Sequence, residues 1–128
     1  MASKIAVLDD YQGVALQMAD WSAVAARAQL DIYSDHLADA DAVVTRLLPY
    51  DVVCVMRERT PFPRRVLERL PNLRLITTSG MWNASVDLAG CEELGITVSS
   101  VPIPALQEIE QYFDYTQWVA EEIMPAIA

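Results

Sequence analysis

Basic side chains gather in only one stretch of this sequence, Arg57, Arg59, Arg64, Arg65, Arg69 and Arg74, within a chain of formal charge −9. An arginine fork can pair bidentately with a carboxylate, so Arg57 and Arg59 are candidates to grip a small anion in a locally favourable field. The same stretch also reads as a solvated loop and helix face. A second segment, TTSGMWNASVDL at 77–88, combines small residues, a glycine and the start of a helix. That arrangement can present several backbone N–H groups to a carboxylate, although a glycine between strand and helix is also ordinary turn chemistry. Asp9 and Asp10 form an acidic pair behind the first apolar run. His36 is the sole histidine and sits among Asp35, Asp39 and Asp41. It reads as a solvated turn residue, because acid–base catalysis needs a positioned partner and a central place.

Parallel strands covered on both faces would position these groups. Short apolar runs at Ile5 to Leu8, Leu30 to Tyr33, Val52 to Met56, Leu73 to Thr77 and Ile96 to Val98 read as five strands. Between them, Val14 to Ala28, Ala38 to Leu48, Pro63 to Leu70 and Asp87 to Leu94 carry helical spacing, the last closed by Gly95. Right-handed crossovers in a chain of 128 residues then predict a flavodoxin-like, doubly wound five-stranded parallel sheet of order 2-1-3-4-5, with helices on both faces. Ligands of such sheets bind beyond the carboxyl ends of the strands. Asp9 to Tyr11, Arg57 to Thr60, Thr78 to Asn83 and Ser99 to Ser100 are therefore the informative positions.

Composition narrows the function. With 53% hydrophobic residues the chain is predicted to fold around one core as a single domain over 1–128. Its acidity argues against nucleic acid as a partner. Two cysteines without CxxC spacing fit a reducing, cytoplasmic setting, and no metal-ligand motif stands out. No stretch approaches the length of a membrane span. From Ala105 the tail reads as one amphipathic helix whose Ile123, Met124 and Ile127 belong to a sheet-facing side. Its other side displays Tyr115 and Trp118, which reads either as aromatics lying on nearby surface or as an anchor for self-association in a homodimer.

Two related topologies are disfavoured. A phosphorelay receiver needs an aspartate ending the third strand and a lysine ending the fifth, where this chain has Met56 and Arg57, then Val101 and Pro102. A flavodoxin needs a hydroxyl-rich phosphate loop after the first strand, where DDYQG places two carboxylates. No cofactor is expected.

KIAVLDDYQGVAL, DVVCVMRERTPFPRRVLERLPNLRLITTSG, MWNASVDLAG and GITV together resemble the N-terminal, substrate-binding domain of the D-isomer-specific 2-hydroxyacid dehydrogenases, over roughly residues 3 to 100. The resemblance implies that backbone amides of Ser79, Gly80 and Met81 meet a substrate carboxylate and that Arg57 and Arg59 line the cleft. Trp82 departs from the family pattern, which has arginine or another polar residue there. The family's nicotinamide-binding domain, with its GxGxxG turn and its catalytic arginine, glutamate and histidine, has no counterpart in these residues. The four glycines, Gly13, Gly80, Gly90 and Gly95, do not make that fingerprint. The expectation is a truncated or redesigned substrate-binding domain, inactive alone and at most a weak binder of small 2-hydroxy or 2-keto carboxylates. Residues 101–128 do not match the family pattern. The alternative is a stand-alone scaffold or interaction module.

Overall fold

Strict period-two alternation decides what each strand residue does. In β3 (Val52–Met56) every residue is buried; Val53 and Val55 enter one apolar cluster while Val52, Cys54 and Met56 enter another on the opposite face. β1 (Ser3–Val7) divides in the same way, with Ala6 on the first face and Ile5 and Val7 on the second. A strand buried on both sides is the mark of a parallel sheet covered by helices. Each fully buried valine or isoleucine contributes roughly 1.5–3 kcal/mol, so these two central strands carry much of the fold.

The computed structural model describes residues 3–11, 13, 21–56, 59–79, 84–100 and 123–127. Along the chain the elements are β1, α1 (Ser22–Arg27), β2 (Ala28–Ile32), α2 (Ala40–Leu47), β3, α3 (Arg64–Leu67), β4 (Leu75–Ser79), α4 (Leu88–Leu94), β5 (Thr97–Ser100) and α5 (Met124–Ile127). All strand pairs are parallel, in the order β2-β1-β3-β4-β5, as the sequence predicts. In the register Ile5 faces Val52 and Val52 faces Leu75, which aligns the carboxyl ends of the central strands.

α2, α3 and α4 cover one face through Val43, Val44, Leu47, Val66, Leu67 and Cys91. On the other face Val24 of α1, Trp21 and Ile123 pack onto Ile5, Val7 and Cys54. Ile123 is fully buried, so the described end of the tail lies against the sheet as its pattern predicts.

Several boundaries differ from the sequence reading. β1 starts two residues earlier and ends one earlier than its apolar run suggests, and β4 lies two residues later, because Ser3, Lys4, Thr78 and Ser79 join the ladder through their backbones. Ala28 opens β2 rather than closing a helix, and α3 is a single helical turn followed by a hydrogen-bonded turn. Capping fixes two helix starts: Asp39 accepts from the Ala42 N–H at 3.0 Å, and Asp87 from the Gly90 N–H at 3.0 Å. A Cβ at Gly90 would stand 2.9 Å from the capping carboxylate, so a larger residue there would displace the Asp87 side chain.

Candidate functional site

β1 ends against its neighbours on both sides. The Leu8 N–H donates to the Cys54 carbonyl at 2.9 Å, and the Asp10 N–H to the Tyr33 carbonyl at 3.0 Å. Between them Asp9 takes a left-handed conformation, φ +60°, which aspartate tolerates better than most residues. The chain reverses there, and the Tyr11 N–H closes a tight turn on the Asp9 carbonyl at 2.9 Å. Both acids are inside the protein, Asp9 2% exposed and Asp10 4%.

Asp9 is the hub of this region. Its Oδ1 lies 2.9 Å from Nδ1 of His36, its Oδ2 accepts the hydroxyl of buried Thr60, and its carbonyl accepts Nη1 of Arg59 at 2.7 Å. A carboxylate can only accept, so His36 serves it as the Nδ1–H form and leaves Nε2 pointing elsewhere. The Arg59 guanidinium carbon sits 4.5 Å above the centre of the Tyr11 ring, which in turn meets the His36 ring edge-on at 6.4 Å. Tyr11 is half exposed and Arg59 is exposed, so this cation is braced at the surface.

Phe62 anchors the loop that carries Arg59 and Thr60. Its buried ring joins the larger core, its N–H donates to the Ser85 carbonyl at 2.8 Å, and its own carbonyl accepts from Asp87 at 3.1 Å. The loop after β3 is thereby tied to both the β1 exit and the segment leading into α4. Beside Asp9, a cavity of about 10 Å³ between Leu8, Leu37, Val43, Leu47 and Thr60 has room for one water and none for a substrate.

A second polar network runs along the β2 edge. Arg46 grips Asp35 with two hydrogen bonds of 2.8 and 2.9 Å and lies 4.1 Å over the Tyr33 ring. The Tyr33 and Tyr50 hydroxyls are 2.6 Å apart, and Tyr50 donates to Asp31 at 2.6 Å. Burial, reinforced by those hydrogen bonds, pushes the Tyr50 hydroxyl well above its ordinary pKa. The Arg46 fork holds the Asp35 carboxyl below its usual value.

The residues singled out from sequence fare unevenly. Arg59 stands at the strand exits but is fastened to the Asp9 carbonyl and Tyr11. Ser79 is the last residue of β4, in register with Met56. Arg57, Gly80, Met81, Tyr115 and Trp118 lie outside the described residues. His36 is exposed, in keeping with a solvated position, and it also has a partner the sequence did not reveal, Asp9 of the turn after β1. Asp9 and Thr60 were noticed only as strand-exit positions; the signal was an acidic pair after the first strand and a hydroxyl after the third, on neighbouring strands. Among the described residues no three metal-binding side chains converge, and no helix is long and apolar enough to cross a membrane.

Known proteins share this fold. A hydroxypyruvate reductase of Blautia hydrogenotrophica is 30% identical over 110 residues, covering 85% of this chain and 33% of that protein. The crystal structure of a phosphoglycerate oxidoreductase from Vibrio cholerae O395 superposes with a TM-score of 0.69 at 30% identity, over 78% of this chain and 31% of the other. A putative D-3-phosphoglycerate dehydrogenase from Ralstonia solanacearum gives a TM-score of 0.72 at 27% identity, over 81% and 31%. This chain thus spans about a third of the length of the relatives it matches. The family model for the catalytic domain of D-isomer specific 2-hydroxyacid dehydrogenases matches residues 5–105, and the chain belongs to that family.

Proposed function

We propose that this domain supplies the carboxylate-facing half of an oxidoreductase site for small 2-hydroxy or 2-oxo acids, and that these 128 residues alone bind such acids weakly and transfer no hydride. The observation that carries the reading is Arg59, an exposed guanidinium braced at the carboxyl ends of the central strands of an otherwise acidic protein. Anionic ligands gain there from a fixed cation that pays little ordering entropy on binding. The Blautia relative is named for a 2-oxo acid, which supports the same class of ligand.

Hydride transfer needs a nicotinamide held against the substrate and an acid–base group in reach. The residues present do not fit a dinucleotide, since none of the four glycines makes a GxGxxG turn between strand and helix. No step of that transfer is therefore assigned to these residues.

Titrating the labelled chain with pyruvate and with D-lactate tests the reading. Amide shifts are expected to concentrate on 59–62 and 77–80, at millimolar ligand, with no NADH consumed. Silence throughout would defeat the binding half, and NADH oxidation by the isolated chain would defeat the other.

A further inference from the structure

Arg59 can serve as an anion grip only if it is held in one place, and the groups that hold it converge on a single residue. The Asp9 carbonyl accepts Nη1 at 2.7 Å, and the Tyr11 ring beneath the guanidinium is placed by the turn that closes on that same carbonyl. The carbonyl is aimed by a left-handed backbone, which most residues adopt only at a cost. What keeps Asp9 in that conformation is its side chain, clamped between the Thr60 hydroxyl and His36. Thr60 follows Arg59 directly, so the carboxylate also fixes the backbone from which Arg59 extends. Among the described residues, the contacts that restrain Arg59 lead back to one aspartate.

We infer that Asp9 is the positioning residue of the site: its carboxylate, locked by Thr60 and His36, holds a left-handed turn whose carbonyl and neighbouring Tyr11 keep the Arg59 guanidinium ready for an incoming carboxylate. This deepens the proposed function and rests on its reading of the ligand class. Asp9 touches no ligand; it acts through Arg59.

The Arg59 side chain reports this directly. A guanidinium held by a carbonyl and an aromatic face rotates slowly, so its Nη–H resonances are resolved in the intact, ligand-free chain. Asp9→Ala is expected to collapse them and to weaken pyruvate about tenfold, the size of one hydrogen bond to a charged group, while leaving uncharged pyruvamide unchanged. Asp9→Asn restores both, because asparagine tolerates the left-handed turn and can accept from His36 while donating to Thr60. An Arg59 signal that rotates freely in the wild type, or survives Asp9→Ala intact, overturns the inference, as does equal weakening of acid and amide. Should Asp9→Ala not fold, Thr60→Val decides in its place: reduced Arg59 ordering supports the role and wild-type ordering rejects it. Absence of pyruvate binding to the wild type would refute the ligand reading and the ligand half of this inference, and the Arg59 resonances would still show whether Asp9 positions it.

Discussion

The two polar networks of this domain use their aspartates in opposite ways. Asp9 lies inside, and its partners come from segments 27 and 51 residues away. Asp31 and Asp35 lie along the margin of the edge strand β2, where Tyr50, Gln29 and Arg46 meet them beside water. A buried carboxylate with converging partners determines geometry, because each unmade bond there costs the full desolvation of a donor. A carboxylate at the rim adds modest stability and keeps an edge strand charged, which discourages pairing with another chain. The same residue type therefore fixes a site at one place and guards a border at another.

Breaking the inner hub gives the largest effect. Asp9→Ala is expected to lower unfolding free energy by about 3 kcal/mol, since it strands the buried Thr60 hydroxyl, removes the His36 contact and puts alanine in a left-handed conformation. Urea denaturation measures this, with Asp9→Asn recovering most of the loss. A cost no larger than that of an ordinary surface substitution would erase the contrast between the networks.

Tyr50→Phe comes next, at about 1 kcal/mol, because it removes the hydroxyl that joins Tyr33 to Asp31. Thermal melts of Asp9→Asn, Tyr50→Phe and the double variant should show additive losses, since the two clusters share none of these hydrogen bonds. Coupling between them would mean that rim and hub form one unit.

Alkaline pH sharpens the comparison from the rim side. Burial pushes the Cys91 thiol up to about 11, and it raises the Cys54 thiol and Tyr50 hydroxyl as well. The folded chain keeps these protons while the unfolded chain begins to release its thiol protons near pH 9. The unfolded state then binds fewer protons, so stability falls as pH rises. Melting temperature should be level through neutrality and drop above about pH 9, the Cys91 share being spent by about pH 11. Cys91→Ala should flatten part of that slope.

The smallest effect belongs to Asp35. Its carboxyl is held below 3.8 chiefly by the Arg46 hydrogen bonds, so its contribution is present above the ordinary carboxylate range and disappears as pH falls through the lowered value. Wild type and Asp35→Asn should differ slightly in melting temperature at neutral pH and low salt, and converge in molar salt or strong acid.

The fold was legible because apolar runs and helical spacing alternate along a chain with room for one sheet. Element ends were misjudged: Ser3, Lys4, Thr78 and Ser79 pair through backbone groups that hydrophobicity does not report, and helical spacing ran past the ends of the helices at Ala28 and Leu70. The site was half legible. Arg59 could be nominated from charge and position, whereas its tether to Asp9 depends on two strand exits meeting in space. The partner of His36 was not legible, because the acids nearest in sequence are Asp35, Asp39 and Asp41, whereas the one that binds it is Asp9. No local pattern announces a partner brought in by a parallel crossover.

Both cysteines of the chain are sealed in the cores, Cys91 on one face and Cys54 on the other. Neither thiol is open to maleimides or similar probes at neutral pH. A single cysteine placed at the half-exposed position of Tyr11 would therefore take up a fluorophore or spin label alone. The natural background of this protein is silent to thiol chemistry, and the mouth of the site can be watched from one attached reporter without first stripping the sequence of its own sulfur.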